Sequence, residues 1–254
     1  MEGKDLIVGV HSIAEAIANP KRTVHQIVAT EDGLAELRKR GQVDSKVIKD
    51  LPVQLVSSHK LQEDAKVLYK DLGITFQRVP SQIFMITSEI ETFDVKYLYD
   101  ELLTGKTVKI LCLDNVTDIH NGAAIMRTAA FYGVDFLVVS MKGNFGLGPS
   151  FARIASGAAE YVKIVKCSSL PKLLKKLQDL GLTCVGFSEH ATIEASEIKK
   201  DTSLCLVMGA EDVGMSNAVE RIINHRVAFK PQGEIKSLNV SVAAAIAMEK
   251  FFSN

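Results

Sequence analysis

The sequence has no surplus of charge of either sign. Its 254 residues include 30 Lys and Arg against 30 Asp and Glu, so the formal net charge at pH 7 is +0. This balance excludes a long basic arm or an acidic solvating tail, and it argues against avid nonspecific binding to nucleic acid. Because 47% of the residues are hydrophobic, the chain can bury the core of one large or two ordinary domains.

The four cysteines are too few and too far apart for a metal or redox motif. They form no Cys-x-x-Cys pair and have no histidine at ligand spacing. Three of the four lie inside apolar, strand-like runs. We therefore expect buried, reduced thiols and no metal site at Cys112, Cys167, Cys184 and Cys205.

Long hydrophobic runs are also missing. Nowhere do 18 apolar residues follow one another, and the first five residues are not a basic leader before an apolar stretch. Internal repeats and low-complexity tracts are absent too. The sequence therefore predicts a soluble, cytoplasmic, globular protein without a membrane partner.

Short apolar runs alternate with amphipathic stretches along the chain. Residues 1–80 predict a compact α/β domain, residues 81–105 are interpreted as a linker, and residues 106–254 predict a second domain. In the second domain, strands are separated by helices of a length that favours a mainly parallel sheet covered on both faces. Such sheets bind ligands beyond the carboxyl ends of their strands.

Three unusual polar runs follow predicted strands of the second domain, and the first is 121–127. Asn121 stands near the start of a helix and could simply cap it. Arg127 lies among small and apolar residues, where an arginine is either paired or directed at an anionic group. Arg127 is therefore harder to explain by helix structure alone than Asn121.

The second and third runs lie further along the chain. Gly209 ends an apolar strand, where glycine lets the backbone approach a ligand, and Glu211 follows it. Read alone, this run is better explained by an ordinary turn with acidic residues at a helix start. Ser237 and Asn239 crowd into the entry of the last helix, where both could also be caps.

One glycine-rich run does not fit a nucleotide-binding loop. The glycines of residues 143–148 do not follow the order G-x-G-x-x-G, and no acidic residue ends a strand at the expected distance. The run is interpreted as a mobile loop. This argues against a Rossmann-type cofactor site.

The three polar runs together resemble the motifs of the SpoU, or TrmH-type, RNA ribose methyltransferases of the SPOUT class. Order and spacing both agree. The matching segments are Asp118-x-x-Asn121-x-x-Ala124-x-x-Arg127, Gly209-x-Glu211-x-x-Gly214 and the run 237–243. The run 154–160 and the N-terminal run 9–16 are similar to the branch that acts on bacterial large-subunit ribosomal RNA. The resemblance thus spans nearly the whole chain.

The resemblance implies a fold and a mode of assembly that composition does not show. The C-terminal domain is expected to be an α/β trefoil knot, which is an exception to the rule against threaded chains. The N-terminal domain is expected to be a smaller, ribosomal-protein-like α/β domain that binds the RNA substrate. A homodimer with the active site near the subunit interface is implied as well.

The resemblance also implies the chemistry. S-adenosylmethionine is the expected cofactor, with the backbone around Gly209, Phe229 and Leu238 holding its adenosine end. The expected reaction is methyl transfer to a ribose 2′-hydroxyl without a metal. Arg127 is expected to stabilise the forming alkoxide. The other catalytic candidates orient ribose or phosphate or hold the site together, namely Asn121, Ser237, Asn239 and Glu211.

Alternatives remain for the substrate and for the activity. Departures from the family pattern, such as Ile119, Ala123 and the run 229–231, affect loop shape and substrate fit, so the target is either ribosomal RNA, most simply a 23S guanosine, or transfer RNA. A noncatalytic RNA-binding assembly factor is the other alternative, although all five polar positions are present. In the small domain, the expected RNA contacts are Lys21, Arg22 and Arg38 to Arg40, which could otherwise form a solvated surface.

Overall fold

The chain folds into two α/β units. The computed structural model describes residues 2–141, 145–188, 191, 198, 203–235 and 237–253, so the glycine-rich run lies partly outside the described residues. The first unit comprises Met1–Ile90 and Gly146–Tyr161, and the second comprises Glu91–Phe145 and Val162–Asn254. The first unit is therefore discontinuous in sequence.

The first unit is built on a four-stranded sheet in the order β1-β4-β2-β3. The outer β1 (Lys4–Val8) and the inner β2 (Val24–Ala29) are antiparallel to β4 (Ile83–Ser88), and β3 (Val53–Leu55) is parallel to β2. Helices cover both faces. One core contains side chains of α1 (Val10–Ala18), α2 (Glu31–Arg40) and α3 (Ser45–Lys49), and the other contains side chains of α4 (Ser58–Asp71).

The predicted linker, residues 81–105, is wrong. It contains β4, β5 (Thr92–Phe93) and α5 (Val95–Leu102). Ile83, Phe84 and Met85 are all buried, because β4 lies in the middle of the sheet and has a core on each face. A strand buried on both faces lacks the alternating pattern that identifies half-buried strands.

The segment Gly146–Tyr161 belongs to the first unit although its neighbours in sequence belong to the second. It carries α7 (Pro149–Ala155) and a 3-10 turn at Ala158–Glu160. The Ser12 hydroxyl donates to the carbonyl of Ala152 at 2.7 Å. A Cβ at Gly157, which has a φ of +84°, would lie 2.4 Å from a side-chain carbon of Glu15. The segment is therefore packed tightly against α1.

A buried cluster of charges fixes this segment. The Arg22 guanidinium binds both carboxylate oxygens of Glu160, at 2.9 to 3.2 Å, and Asp5 at 2.8 Å. Burial alone would lower the pKa of Arg22, but the bonds to Glu160 and Asp5 outweigh it and raise that pKa. The prediction that Arg22 contacts RNA is wrong, because its side chain is only 5% exposed.

The second unit contains a seven-stranded sheet in the order β11-β9-β10-β6-β7-β8-β5. Among the described residues, every neighbouring pair of strands in it is parallel, as predicted. The remaining strands are β6 (Lys109–Asp114), β7 (Phe136–Ser140), β8 (Lys163–Cys167), β9 (Thr183–Phe187), β10 (Leu204–Gly209) and β11 (His225–Val227). The helices that follow α5 are α6 (Ile119–Phe131), α8 (Leu170–Asp179), α9 (Asn217–Glu220) and α10 (Val240–Phe252).

Both faces of this sheet are buried. Ile110 and Cys112 of β6 join a core with α5, α8 and α9, while Leu111 and Leu113 face the opposite side. On that side α10 packs against β10 and against α6. All four cysteines are buried and free, which confirms the predicted thiols. Within the described part of the chain, none of the helices has both the length and the apolar character needed to cross a bilayer.

Candidate active site

The three polar runs meet beyond the carboxyl ends of neighbouring strands. β6 leads into α6, β10 ends at Gly209, and β11 is followed by the loop that enters α10. Because β6 and β10 are paired in parallel register, with Asp114 opposite Gly209, the segments that follow them leave the same edge of the sheet. The predicted polar runs therefore lie at the edge of the sheet where parallel sheets bind ligands.

Asn121, Glu211 and Asn239 form one hydrogen-bonded cluster. The Asn239 side-chain amide donates to Asn121 Oδ1 at 3.0 Å and to Glu211 Oε2 at 3.1 Å. The Asn121 amide reaches the same Glu211 oxygen at 3.4 Å. Each of the three polar runs thus contributes to a single cluster, in which Glu211 accepts from both asparagines.

Helix capping determines how the two asparagines are oriented. Asp118, not Asn121, caps α6, because its Oδ1 accepts the backbone N–H of Asn121 at 2.8 Å. The Asn121 side chain is therefore available for the cluster. Asn239 does cap α10, since its Oδ1 accepts from the backbone N–H of Ser241 at 2.9 Å. That bond turns the Asn239 amide nitrogen towards Asn121 and Glu211.

A cleft of about 440 Å³ lies beside this cluster. Its size falls within the range of small-molecule sites, about 300–1,000 Å³. All three residues predicted to hold the cofactor line it, and so do Glu211 and Ser237. Its further lining includes Phe187, Ser188, Met208, Asp212, Glu220 and Val240.

Glycine is required at position 209. A Cβ there would come within 2.2 Å of the backbone of Gly214 and Met215. The loop between them closes on itself, because Ala210 and Gly214 exchange backbone hydrogen bonds of 3.0 and 2.9 Å. A side chain at position 209 would therefore displace the loop of residues 209–214, which lines the cleft.

An aromatic pair forms another part of the wall. Phe187 and Phe229 stack with ring centroids 5.3 Å apart, and Phe251 packs edge-on against Phe187 at 5.8 Å. The Lys250 ammonium lies 5.6 Å from the centroid of the Phe229 ring. Sequence reasoning missed Phe187. Its position at the last residue of β9, on the ligand-binding edge of the sheet, is the signal that could have identified it.

Gly122 allows the aromatic ring of Phe145 to reach the start of α6. A Cβ at Gly122 would lie 2.4 Å from the ring of Phe145, which is only 3% exposed. This close approach explains why glycine stands directly after Asn121 in this chain. Phe145 therefore packs beside the residue that enters the polar cluster.

Arg127 is not brought to the cleft within one chain. It is exposed on α6 and makes no hydrogen bond or ion pair with any residue in the described ranges. Six residues after Asn121, it lies about 120° around the helix from it. Phe131, one turn further along the same side, is 82% exposed. Of the five predicted catalytic residues, three meet, Ser237 lines the cleft, and Arg127 faces outward.

Comparison with known proteins identifies the same chemistry. The SpoU rRNA Methylase family matches residues 109–249, which is more than half of the chain. The 23S rRNA (guanosine-2′-O-)-methyltransferase RlmB of Pseudomonas putida is 30% identical over 250 residues, covering 98% of this chain and 96% of the relative. A Staphylococcus aureus protein, provisionally named a TrmH family tRNA/rRNA methyltransferase, is 29% identical over 254 residues, covering 97% and 95%.

The fold has close counterparts among solved structures. One is the SpoU methyltransferase AviRb of Streptomyces viridochromogenes, solved in complex with AdoMet (S-adenosylmethionine). It matches with a TM-score of 0.75 and 19% identity, over 98% of this chain and 89% of AviRb. A SpoU methyltransferase thus binds the cofactor that the motifs predict. The resemblance drawn from the three motifs is confirmed, and the chain belongs to the SpoU rRNA methylase family of RNA methyltransferases.

Proposed function

We propose that this protein transfers a methyl group from S-adenosylmethionine to a ribose 2′-hydroxyl in structured RNA. Membership of the SpoU family supports the reaction, and the name of the Pseudomonas relative makes a 23S rRNA guanosine the first candidate for the target. Transfer RNA is the alternative, since the Staphylococcus relative is named for both RNAs. The observation that carries the proposal is the cluster of Asn121, Glu211 and Asn239 beside a glycine-walled cleft.

The cleft fits S-adenosylmethionine. Residues 209–214 form one wall of it, and Phe187 and Phe229 offer apolar surface to an adenosine. Gly209, Phe229 and Leu238 would hold the adenosine end, as the motifs predict. When bound, the cofactor supplies an electrophilic methyl group on a sulfonium. No residue of this arrangement needs a metal for that purpose.

The polar residues would act by positioning. A ribose hydroxyl is a poor nucleophile, so its orientation and the stabilisation of charge developing on its oxygen dominate the barrier. Glu211 accepts from both asparagines and thus fixes their amides. Asn121, Asn239 and Ser237 then orient ribose or a neighbouring phosphate. The Arg127 guanidinium stabilises the forming alkoxide, because it stays charged and cannot serve as a base near neutral pH.

The outward position of Arg127 favours a homodimer in which α6 faces a second copy. Arg127 has no partner among the described residues of its own chain, and Phe131 on the same side exposes 82% of its surface. Val242 of α10, the helix packed on α6, is 47% exposed. Exposed apolar side chains at such positions are typical of subunit interfaces. The trefoil knot and this dimer both remain predictions from the family resemblance.

The first unit would bind the RNA. With Arg22 buried, the remaining predicted contacts are Lys21 and the exposed end of α2, Arg38 to Arg40, of which Arg40 is paired with Glu36 at 3.0 Å. Shape and phosphate contacts of this kind suit structured RNA. We therefore propose that the protein acts on RNA in the cytoplasm.

Arg127→Ala tests the proposal. The assay measures methyl transfer from radiolabelled S-adenosylmethionine to RNA that was isolated from cells lacking the protein. We expect the rate of Arg127→Ala to be lower than that of the wild type by about 100-fold or more, as for loss of one oxyanion-stabilising group. Calorimetric affinity for the cofactor should stay within about twofold, because the cleft does not contain Arg127. Arg226→Ala, at an exposed arginine of the edge strand β11, is the matched control.

The outcomes separate the alternatives. Near-normal transfer by Arg127→Ala would remove its catalytic assignment. A wild-type protein that binds RNA but gives no heat with S-adenosylmethionine would instead be a noncatalytic assembly factor. Mapping ribose methylation on total RNA from cells with and without the protein then decides between ribosomal and transfer RNA.

A further inference from the structure

Asp114 is a buried carboxylate that the reaction itself does not use. It is the last residue of β6, and only 7% of its surface is exposed. Its Oδ2 accepts a hydrogen bond of 2.6 Å from the backbone N–H of Ser216. A buried charge is costly unless it is hydrogen-bonded, so this contact should hold the bonded backbone in place.

The contact leads to the loop that walls the cleft. Asp114 lies opposite Gly209 in the pairing of β6 with β10, so it stands beside the residue where the loop begins. Ser216, to which it is bonded, stands where the loop ends. Between these points Ala210 and Gly214 bond to each other, and Glu211, Asp212 and Val213 project from the loop. Asp114 therefore links the exit of the loop to the strand position that is paired with its entry.

The exit of the loop is held from a second direction. Met215, which is 5% exposed, packs so closely on β9 that a Cβ at Gly186 would lie 2.7 Å from its sulfur. The Ser216 hydroxyl accepts from the backbone N–H of Val219 at 3.4 Å and begins α9. The backbone N–H of Ser216 takes part neither in the packing of Met215 nor in the cap. Its bond to Asp114 is thus the polar link between the loop exit and the sheet.

We propose that Asp114 is a positioning residue for the active site, which acts by holding the 210–216 loop and thereby Glu211 and the backbone wall of the cleft. The role rests on the proposed function, since it concerns the same cleft. Asp114 does not line the cleft and does not touch the cluster of Asn121, Glu211 and Asn239. Its effect on ligand binding is therefore indirect and geometric.

Four variants separate the hydrogen bond from other effects. Asp114→Ala removes the acceptor, whereas Asp114→Asn keeps an oxygen at the same place and loses only the charge. Ser216→Pro removes the N–H donor at a residue whose φ of −63° proline can adopt. Ser216→Ala keeps the N–H and loses only the hydroxyl cap. The bond should be absent in Asp114→Ala and Ser216→Pro and present in the other two.

The first measurement is amide hydrogen exchange of the full chain without added ligand. We expect at least tenfold faster exchange at residues 214 and 216 in Asp114→Ala, and near-normal exchange at these residues in Asp114→Asn and Ser216→Ala. Ser216→Pro, which has no amide at 216, should show the effect at 214. Unchanged exchange at 214 in both bond-deleting variants would overturn the proposal, whether or not the protein is a methyltransferase.

The second measurement is calorimetric titration with S-adenosylmethionine and, separately, with S-adenosylhomocysteine. In Asp114→Ala and Ser216→Pro, loss of loop geometry should lower the affinity for both ligands alike, by about tenfold or more. In Asp114→Asn and Ser216→Ala, the affinity should stay within about threefold of the wild-type value. Weakening of the cationic ligand alone, including in Asp114→Asn, would mean that Asp114 acts by charge and would overturn the positioning role. If the wild type binds neither ligand, the proposed function fails, while the exchange result still decides the role of Asp114 in the loop.

Discussion

At the scale of single residues, Asn239 shows how one side chain serves both the fold and the site. Its oxygen caps α10 through the backbone N–H and the hydroxyl of Ser241, at 2.9 and 2.6 Å. Its nitrogen bonds Asn121 and Glu211. A residue with both roles cannot be assigned to one of them from sequence, because a cap and a site residue have the same side chain at the same position.

Asn239→Asp should separate the two roles. Aspartate caps a helix as well as asparagine does, so thermal stability should change little from loss of the cap. Its second oxygen, however, would replace the nitrogen that lies 3.1 Å from Glu211, and the two carboxylates would repel. We expect methyl transfer to fall by about tenfold or more at pH 8.

Asn239→Ser is the control for that prediction. Serine also caps the helix and lacks the nitrogen donor, but it brings no charge to Glu211. Its activity should therefore be reduced less than that of Asn239→Asp. An Asn239→Asp variant as active as the wild type at pH 8 would show that the contact with Glu211 is unimportant.

Most of the polar cluster could be predicted from the sequence, whereas two arginines could not be placed. Asn121, Glu211 and Asn239 follow strands of one parallel sheet, and parallel strands bring their carboxyl ends to one edge. Arg22 stands in a turn that reads as solvated, and its partner Glu160 is 138 residues away. Nothing local in the sequence indicates that this pair exists. The orientation of Arg127 depends in the same way on what α6 faces.

At the scale of elements, the segment 146–161 is the least predictable part of the fold. Its helix and its following strand, α7 and β8, are predictable from periodicity. The unit to which it belongs is not, because Ala152 packs into the core of the first unit while β7 and β8 on either side pair with each other. Deletion of residues 1–80 would consequently leave both this segment and β4 without their packing partners.

Glu160→Gln should destabilise the first unit. Glutamine keeps the shape of the side chain but leaves the Arg22 guanidinium, 5% exposed, with only the partly exposed Asp5 as a counter-charge. Breaking one side of a buried ion pair typically costs about 3–5 kcal/mol of unfolding free energy, and the remaining Asp5 should keep the loss near the lower end. Urea unfolding followed by circular dichroism measures it.

A surface pair in the second unit provides the comparison. Lys175 and Asp179 lie 2.9 Å apart on α8, with side chains 65% and 50% exposed. Asp179→Asn should cost less than about 1 kcal/mol, because water screens exposed pairs. Equal losses for Glu160→Gln and Asp179→Asn would mean that the Arg22 cluster does not hold the segment.

At the scale of the whole molecule, the sheet of the second unit determines how stability responds to alkaline pH. Cys112 and Cys205 have sulfurs 3.4 Å apart, and Cys184 lies opposite Cys205 on β9. Burial raises the pKa of Cys112, while the hydrogen bond to Cys112 and burial raise that of Cys205. The hydrogen bond to Cys205 and burial raise the pKa of Cys184 as well. The folded protein therefore keeps these thiols protonated.

Stability should fall as pH rises above about 8.5, the pKa of a thiol in the unfolded chain. Beyond that value the unfolded state loses protons that the folded state retains, so each such thiol lowers the unfolding free energy by up to about 1.4 kcal/mol per pH unit. Below it both states are protonated and the thiols contribute no slope. Urea unfolding under reducing conditions between pH 7 and 10 should show a shallower decline for Cys205→Ala than for the wild type. Equal slopes would contradict the linkage.

The assembly decides whether the outward Arg127 has a site to act on. If α6 forms the subunit interface, Phe131→Glu should place a charge in an apolar contact and separate the subunits. Sedimentation should then change from twice 27.7 kDa to 27.7 kDa, with methyl transfer lost and cofactor affinity kept. Leu103→Glu is the control, because Leu103 follows α5 and is also largely exposed, at 72%. A wild-type monomer with full activity would remove the dimer from the proposed function.

Mixing two inactive variants tests whether the site is shared between subunits. Arg127→Ala should keep an intact cleft. Gly209→Val should distort the loop that walls the cleft while keeping Arg127, since a Cβ at position 209 already meets the backbone of Gly214. In a mixed dimer, one intact cleft lies opposite a subunit that still has its arginine. If Arg127 acts across the interface, mixing after subunit exchange should restore up to about half of the wild-type activity per mixed dimer. Activity that stays at the level of the separate variants would place Arg127 and the cleft it serves in the same chain.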